Sequence, residues 1–419
     1  MIRDGQHFRL LSMTNMKVLV DEGNNTEFID AATSKEKISK IKTTQAASTS
    51  SYKNASCDYL HRMQESQIGS PRMSSLRGLP GTQGDRVIRS GASILGLESD
   101  SVEKLIVFDG QKQIERAYVF PGQGAQFVGM GADLYEQFPV ARRLYDEADE
   151  ILNFPLSKIC FEGPESDLQE TKNTQPAIAV TSLALLAVAT EIESRLLEPP
   201  AFFAGHSLGE YTALIASGAL SFSEGIKLVR LRGDLMQEIG ASKPGTMAAI
   251  LGLDINDIED ICREAGAEIC NINAPGQVVI GGLKQSVVRA LDYAQARGAR
   301  KVVPLNVGGA FHTSLMMPAS EGLTQPIATV SIESPIAPIV ANCDARPINE
   351  ATEIRNELLD QVYKPVQWSK IVNFMDDQGV KTFIEFGPGR VLSGLVKKMV
   401  RTASCIAVND AQSVHFDLD

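Results

Sequence analysis

From residue 117 onward, short apolar segments alternate with longer segments of helical periodicity, and few folds accommodate that order. Tyr118-Val119-Phe120 and residues 201–204 have the length and composition of buried strands. The Ala- and Leu-rich stretch 177–192 between them is typical of a buried helix. Strands that alternate with helices favour a parallel sheet, because each crossover helix lies against one of its faces. We therefore predict an α/β fold with a parallel sheet covered on both sides.

Residues 244–307 follow a different order, β-α-β-β-α-β. The strands are 247–253, 268–272, 277–280 and 301–305, and the helices are 255–265 and 285–297. This order predicts a ferredoxin-like subdomain inserted into a large α/β domain made of residues 115–243 and 308–410. After the insertion come helices at 315–328, 368–378 and 391–400, strands at 339–342 and 382–386, and a tail at 411–419.

Residues 1–114 differ in composition from the remainder of the chain. They include a Ser- and Thr-rich stretch, 43–56, and show no sustained period, which is typical of disorder or weak structure. There are two alternatives: this stretch contains an organelle-targeting (transit) segment, or the natural protein starts at a later residue. Five acidic residues within the first thirty count against a transit segment. We expect a cytoplasmic protein, or one of a plastid or other organelle if this stretch is a transit segment.

Composition and charge exclude several classes of function. The formal net charge is -11, and residues 116–419 carry -12, because the 15 basic and 14 acidic residues of 1–115 nearly cancel. A body this acidic does not favour nucleic acid. No run of about 18 apolar residues is present, so we expect no membrane span. The six cysteines form no CxxC pair, which predicts neither a zinc site nor a disulfide framework.

The pentapeptide Gly205-His206-Ser207-Leu208-Gly209 follows a predicted strand and precedes a helical segment. In that context G-x-S-x-G forms a nucleophile elbow, a sharp turn that exposes a serine hydroxyl at the edge of an α/β-hydrolase-like sheet. Glycines permit the strained turn, and backbone N–H groups at the helix start can face a developing oxyanion. We predict that Ser207 is a nucleophile that carries an acyl group. The alternative is an ordinary Gly- and Ser-rich turn.

A serine nucleophile needs a base, most often a histidine, and the chain has five histidines. Three of them lie in residues 1–114 or near the C-terminus. His206 neighbours Ser207 at the end of a strand, where successive side chains point to opposite faces. Elimination leaves His312, which follows a flexible Gly-Gly turn, as the candidate base. The alternative is a buried histidine without a catalytic role.

Arg232 occupies the apolar stripe of the predicted helix 221–239, because Leu228, Val229 and Met236 lie three or four residues from it. A guanidinium in such a place is costly unless an anion pairs with it. An internal Asp or Glu would satisfy it, and so would a substrate carboxylate held by two hydrogen bonds. A simple esterase has no use for such a cation.

Five separated motifs resemble those of the malonyl-CoA:acyl carrier protein transacylases, which belong to the acyltransferases of fatty-acid and polyketide synthesis. They are Val119-Phe120-Pro121-Gly122-Gln123-Gly124-Ala125-Gln126, Gly205-His206-Ser207-Leu208-Gly209-Glu210-Tyr211, Arg230-Leu231-Arg232-Gly233, Ala310-Phe311-His312 and Glu385-Phe386-Gly387-Pro388-Gly389. The resemblance extends from about residue 115 to residue 408, and residues 1–114 have no counterpart in it.

The resemblance implies a ping-pong reaction. Ser207 would take malonyl from malonyl-CoA with His312 as general base, and would pass it to the phosphopantetheine thiol of acyl carrier protein. The implied partners are therefore malonyl-CoA and acyl carrier protein of fatty-acid or polyketide synthesis, with neither nucleic acid nor membrane. No metal or cofactor is expected, since phosphopantetheine is carried by the partner. A monomer is the default expectation.

The same resemblance assigns further roles. The N–H groups of Gln123 and Leu208 would form the oxyanion hole, and Arg232 would bind the malonyl carboxylate. Substrate-binding roles fall to Phe311, whose ring would crowd an α-methyl group, and to Met236, Asn273 and Gln367. The backbone carbonyl near Gln367 would orient His312 in place of a triad acid. The alternatives are a turn asparagine at Asn273 and a helix start at Gln367.

Two rival classes of function stay open. A serine esterase or thioesterase would release free acid, use an Asp or Glu as third member of its triad, and be indifferent to Arg232→Ala. A catalytically idle acyltransferase-like module would serve only as an interaction partner.

Overall fold

The structure is a computed structural model that describes residues 115–418 and four short strands nearer the N-terminus. The strands are β1 (Lys17–Asp21), β2 (Thr26–Asp30), β3 (Val87–Ile88), β4 (Ile106–Val107), β5 (Arg116–Phe120), β6 (Phe202–Gly205), β7 (Gly245–Leu251), β8 (Glu268–Ala274), β9 (Gln277–Leu283), β10 (Lys301–Pro304), β11 (Ile339–Val340), β12 (Pro347–Ile348), β13 (Thr382–Phe386) and β14 (Ser404–Val408). The helices are α1 (Ala132–Gln137), α2 (Pro139–Leu152), α3 (Leu156–Glu162), α4 (Glu165–Gln169), α5 (Thr171–Ile192), α6 (Leu208–Ala216), α7 (Phe222–Ser242), α8 (Ile255–Ala265), α9 (Lys284–Ala296), α10 (Met317–Thr329), α11 (Ala351–Asp360), α12 (Trp368–Asp377) and α13 (Val391–Met399). Two short 3₁₀ helices are also present, Ser194–Leu197 and Ser314–Met316.

The chain divides into two compact units, and the first contains strands β1 to β4. They form an antiparallel sheet in the order β2-β1-β4-β3, and β1 and β2 pair along their whole length. The sequence does not predict this sheet, because the strands are short and two of them lie far along the chain from the others. The rest of the predicted weakly structured stretch 1–114 lies outside the described residues.

The second unit contains a six-stranded sheet in the order β12-β11-β6-β5-β13-β14. Neighbouring strands are parallel except β11 and β12. Alternate residues of β5 enter different cores: Tyr118 and Phe120 pack on one face, and Ala117 and Val119 on the other. Because a strand points successive side chains to opposite faces, this division shows that the sheet is covered on both sides. The predicted α/β fold with a parallel sheet is confirmed.

Strand β14 is a difference from the sequence-based order, in which a helix ends the fold. The predicted helix 391–400 is α13, and β14 follows it and pairs in parallel with all five residues of β13. A five-residue strand with Cys, Ala and Ser at its positions has too weak a pattern to be recognised without its partner. Helices α1 to α4 and α11 likewise lie in stretches for which the sequence yields no prediction.

Strands β7 to β10 form a separate antiparallel sheet in the order β10-β7-β9-β8. The chain order is β7-α8-β8-β9-α9-β10, as predicted, and the element bounds agree within three residues. Its helices share with the sheet a core of their own, which includes Ile250, Ile258, Ile280 and Ala290. One face of this small sheet therefore forms an independent hydrophobic centre.

Helix α5 runs through the core beside the main sheet, six residues longer at its N-terminus than predicted. By length and composition it could cross a membrane, but 83% of its most apolar stretch is buried inside the protein. Such burial is typical of the central helix of a folded domain. Helix α7 packs along it, closely enough that a Cβ at Gly233 would lie 2.8 Å from Lys172 Cα. This packing brings Gln175 of α5 to Arg232 of α7.

Candidate active site

Ser207 lies in a sharp turn between β6 and α6, with φ 53° and ψ -107°. A non-glycine residue adopts these angles only when its surroundings enforce them. The two glycines of the pentapeptide are required by close contacts. A Cβ at Gly205 would overlap the carbonyl of Gly209, and a Cβ at Gly209 would overlap that of Phe120. The strand–turn–helix geometry of a nucleophile elbow is thus present at the pentapeptide.

Asn342, two residues after the neighbouring strand β11, holds this turn. Its Nδ2 donates to the Gly205 carbonyl at 2.7 Å, and its Oδ1 accepts from Ser207 N at 2.8 Å. Glu210 Oε1 in turn accepts from Asn342 N at 3.0 Å. The Ser207 N–H is therefore occupied, whereas the Leu208 N–H is the first of α6 and has no intrahelical acceptor. Sequence reasoning missed Asn342, although a polar residue after a buried strand was a signal for it.

The Ser207 hydroxyl and the His312 imidazole are in direct contact, with 2.7 Å between Oγ and Nε2. On the other side of the ring, Nδ1 faces the backbone carbonyl oxygens of Gln361 at 2.8 Å and Lys364 at 3.2 Å. Carbonyl oxygens only accept, so Nδ1 carries the ring hydrogen. Nε2 is then the free acceptor, and the serine hydroxyl donates to it. This is the geometry of a serine activated by a neutral base.

Burial keeps that imidazole neutral. His312 is 4% exposed, and desolvation is the largest cause that lowers its pKa to about 3. The positive charge of Arg232 lowers the pKa further, and the two carbonyl oxygens at Nδ1 oppose the shift. The imidazole is consequently unprotonated across the neutral range, and its Nε2 is available to accept a proton.

The carbonyls that face Nδ1 of His312 belong to Gln361 and Lys364, near Gln367 in the chain, and not to Gln367 itself. Gln367 is the N-cap residue of α12, and its carbonyl accepts from Ile371 N of the helix at 3.0 Å. The helix-start interpretation of Gln367 is the one that agrees with the structure. Gln361 takes the orienting position instead, and its side chain also donates from Nε2 to the Ser207 carbonyl at 2.6 Å. Sequence reasoning missed Gln361, because no local pattern distinguishes it.

Arg232 is buried beside Ser207, with 1% of its surface exposed. Its Nη2 lies 3.1 Å from Ser207 Oγ, and its other bonds are to the amide oxygens of Gln175 at 2.8 Å and Gln361 at 2.9 Å. The guanidinium also lies 5.3 Å from the centre of the Tyr211 ring. Within residues 115–418 no carboxylate pairs with Arg232, and its Nε has no partner. The internal Asp or Glu partner that sequence reasoning allowed is thus not found there.

A cleft of about 530 Å³, part of it open to solvent, surrounds these groups. Seven of the predicted site residues line it: Gln123, Ser207, Leu208, Arg232, Met236, Phe311 and His312. Asn273 lies beside it, where its Oδ1 is 2.8 Å from Nε2 of His206. The structure therefore brings seven of the nine predicted site residues to one cleft, places Asn273 against His206 of its lining, and places Gln367 at a helix start.

Gln123 lies in the loop after β5, and this loop contacts the elbow. A Cβ at Gly122 would overlap the carbonyl oxygen of His206, so only glycine permits this approach. The loop leaves the end of β5, and the elbow leaves the end of the adjacent β6. Since carboxyl ends of neighbouring parallel strands meet at one edge of a sheet, Gln123 reaches the cleft beside Leu208.

A mixed α/β fold with an elbow serine, a neutral histidine and a helix N-terminus at one sheet edge defines an enzyme of acyl transfer through serine. Comparison with known proteins makes the assignment specific. Residues 117–414 match the family model described as "Acyl transferase domain". The malonyl CoA-acyl carrier protein transacylase of Bacillus subtilis is 45% identical over 303 residues, which cover 71% of this chain and 94% of that protein.

Two solved structures agree with this assignment. An acyl carrier protein S-malonyltransferase from Vibrio cholerae has a TM-score of 0.69 and 42% identity, over 72% of this chain and 98% of its own. A malonyl-transacylase in complex with its type II PKS acyl-carrier protein has the same TM-score and identity, and the match covers 71% of this chain and 97% of that one. The chain belongs to the acyl transferase family, among the malonyl CoA-acyl carrier protein transacylases. The resemblance stated from the five motifs is confirmed.

Proposed function

We propose that this protein transfers malonyl from malonyl-CoA to the phosphopantetheine thiol of acyl carrier protein, through an ester on Ser207. The observation that carries the proposal is the buried guanidinium of Arg232, 3.1 Å from the nucleophile and without a carboxylate partner in residues 115–418. Burial of an unpaired cation is costly, and a substrate that brings its own carboxylate offsets this cost. Malonyl has such a carboxylate, and acetyl does not.

In the first half-reaction, Ser207 Oγ attacks the thioester carbonyl while its proton moves to Nε2 of His312. We assign the N–H groups of Leu208 and Gln123 to the oxyanion that forms. The carbon–sulfur bond then breaks, and His312 returns the proton to the departing thiolate of coenzyme A. In the second half-reaction the carrier's thiol attacks the malonyl-serine ester, its proton passes to His312 and then to Ser207, and the serine leaves.

The contacts of His312 also favour a transacylase over the rival esterase. That rival requires an Asp or Glu at Nδ1, whereas two backbone carbonyl oxygens occupy this position. A carbonyl dipole orients the ring and stabilises the imidazolium less than a carboxylate does. For the cleft residues Phe311 and Met236, whose side chains line the same space as Arg232, we propose contact with the malonyl group.

For the domain organisation, we propose residues 115–243 and 308–410 as an α/β-hydrolase-like domain and residues 244–307 as an inserted ferredoxin-like subdomain. The strand order β10-β7-β9-β8 and its antiparallel pairing support the latter. We further propose a monomer that binds neither nucleic acid nor membrane, needs no cofactor, and works in the cytoplasm, or in an organelle if residues 1–114 contain a transit segment. A chain that starts at Gln113 should keep its activity.

Intact mass spectrometry after mixing with malonyl-CoA tests the reaction. The wild-type protein should gain one malonyl group, Ser207→Ala should gain none, and holo acyl carrier protein should remove the adduct with the mass appearing on the carrier. Release of free malonate at a rate unaffected by the carrier would favour the esterase, and no adduct in the wild type would refute the proposal.

A further inference from the structure

We infer that strand β8 of the small antiparallel sheet sets the position of His312, and that Glu268 and Ser314 are positioning residues for the base. The inference rests on the proposed use of His312 as general base. It does not depend on which acyl group Ser207 carries.

The first observation is a two-point contact beside the base. Ser314 N donates to Glu268 Oε2 at 3.0 Å, and Ser314 Oγ donates to Glu268 Oε1 at 2.6 Å. Glu268 is the first residue of β8, and Ser314 begins the 3₁₀ helix two residues after His312. Both oxygens of one carboxylate are therefore used to hold the segment that carries the imidazole. Paired, charge-assisted hydrogen bonds of this kind define direction as well as distance.

The second observation is that β8 also holds the segment that orients the ring. Ile272 N donates to the Val366 carbonyl at 2.9 Å, and Val366 N donates to the Cys270 carbonyl at 2.8 Å. Val366 lies two residues beyond Lys364, whose carbonyl faces Nδ1 of His312. One strand thus binds both the chain that bears the base and the chain that accepts its ring hydrogen.

The third observation is that His312 needs such support. Its φ of 60° is in the left-handed region, which a non-glycine residue adopts at a cost in backbone strain. The neighbouring Thr313 packs against β9, since a Cβ at Gly281 would lie 3.2 Å from Thr313 Cγ2. The small sheet therefore touches the loop at Thr313 and Ser314, directly after the strained residue.

The Glu268–Ser314 pair contributes to rate because proton transfer depends steeply on the 2.7 Å contact between Ser207 Oγ and His312 Nε2. A misplacement of about 1 Å can cost on the order of 100-fold in rate. Loss of one partly exposed contact should displace the base by less, so we expect a fall of about 5- to 30-fold. Arg232 does not touch this pair, and affinity for malonyl-CoA should stay the same.

The test compares Glu268→Ala, Glu268→Gln, Ser314→Ala, Ser314→Thr and the double alanine variant in the full chain. The rate constant of malonyl-serine formation is measured by rapid quench and mass spectrometry at saturating malonyl-CoA. Ser314→Ala and Glu268→Ala should slow it by about 5- to 30-fold without raising KM. The double variant should be no slower than the slower single variant, since the two residues act through one contact. Ser314→Thr keeps the hydroxyl and should restore most of the rate.

A matched control is Glu264→Ala, which removes another carboxylate of the small sheet's helices, one that pairs with Arg297 instead. It should leave the rate unchanged. A fluorophosphonate probe reports Ser207 activation without malonyl: the Ser207 Oγ–phosphorus bond forms, fluoride leaves, and the proton goes to His312. If the wild type takes no malonyl, the proposed function fails, and the probe still tests the positioning role. Unchanged probe and acylation rates in Glu268→Ala and Glu268→Gln, or multiplicative effects in the double variant, would overturn the inference.

Discussion

Arg232→Met should separate malonyl from acetyl as substrates. Methionine has a similar length and tolerates an apolar helix face, so α7 should keep its packing against α5. In the wild type, a bound carboxylate would accept two charge-assisted hydrogen bonds from the guanidinium, each worth about 1.5–3 kcal/mol. Their loss predicts about 3–6 kcal/mol less transition-state binding, which corresponds to a fall of roughly 10²- to 10⁴-fold in kcat/KM for malonyl-CoA.

The stability of the variant should change little, because two opposite effects nearly cancel. The substitution leaves the amide oxygens of Gln175 and Gln361 without their donor, at about 1–3 kcal/mol each. It also removes a buried cation that has no carboxylate partner in residues 115–418 and whose pKa is lowered by desolvation. A thermal melt would verify that the comparison of rates is made between folded proteins.

The assay is the rate of acyl-enzyme formation with malonyl-CoA and with acetyl-CoA, followed by mass. The malonyl rate should fall steeply and the acetyl rate should stay level or rise. Arg230→Met serves as the control, since Arg230 lies on the same helix but pairs with Asp234 at 3.0 Å. An equal fall with both substrates would refute the carboxylate-binding role and indicate that Arg232 only holds Ser207 and Gln361 in place.

Three further predictions follow from the site. Because the pKa of His312 is lowered to about 3, malonyl-serine formation should show no ionisation of this group between about pH 5 and 8 in rapid-quench rates. In urea titrations, stability attributable to His312 should be full above its unfolded pKa of about 6.5 and should fall by about 1.4 kcal/mol per pH unit below it, since only the unfolded chain then binds the proton. In Gly122→Ala the new Cβ would overlap the His206 carbonyl and displace Gln123, so the malonyl and acetyl reactions should both slow by about 10-fold or more. An unchanged rate would exclude Gln123 from the oxyanion hole. Asn342→Leu should leave Ser207 N and the Gly205 carbonyl unpaired and lower the free energy of unfolding, measured in urea, by about 2–5 kcal/mol. A wild-type unfolding midpoint would contradict the role of Asn342 in holding the elbow.

The parts of this protein that local sequence determines are those with a short-range physical cause. The elbow follows from a buried strand, two close-packed glycines and a helix within a few residues. The strand and helix alternation follows from periodicity, and Arg232 stands out because a cation on an apolar helix face has few explanations. The order of the small sheet could be read in the same way, from two helices among four strands.

The tertiary structure decided which groups complete the site. Gln361 and Asn342 lie 154 and 135 residues from Ser207, and each acts through one or two hydrogen bonds that leave no periodic trace in the sequence. The sequence indicated a carbonyl near Gln367, but only the packed chain shows that the carbonyls facing Nδ1 of His312 belong to Gln361 and Lys364, because backbone carbonyl direction depends on where α12 begins. The absence of an ion pair to Arg232, within residues 115–418, was equally undecidable from sequence, since any of many Asp or Glu side chains could have paired with it. Local pattern specifies elements, and only packing specifies which distant polar atoms meet.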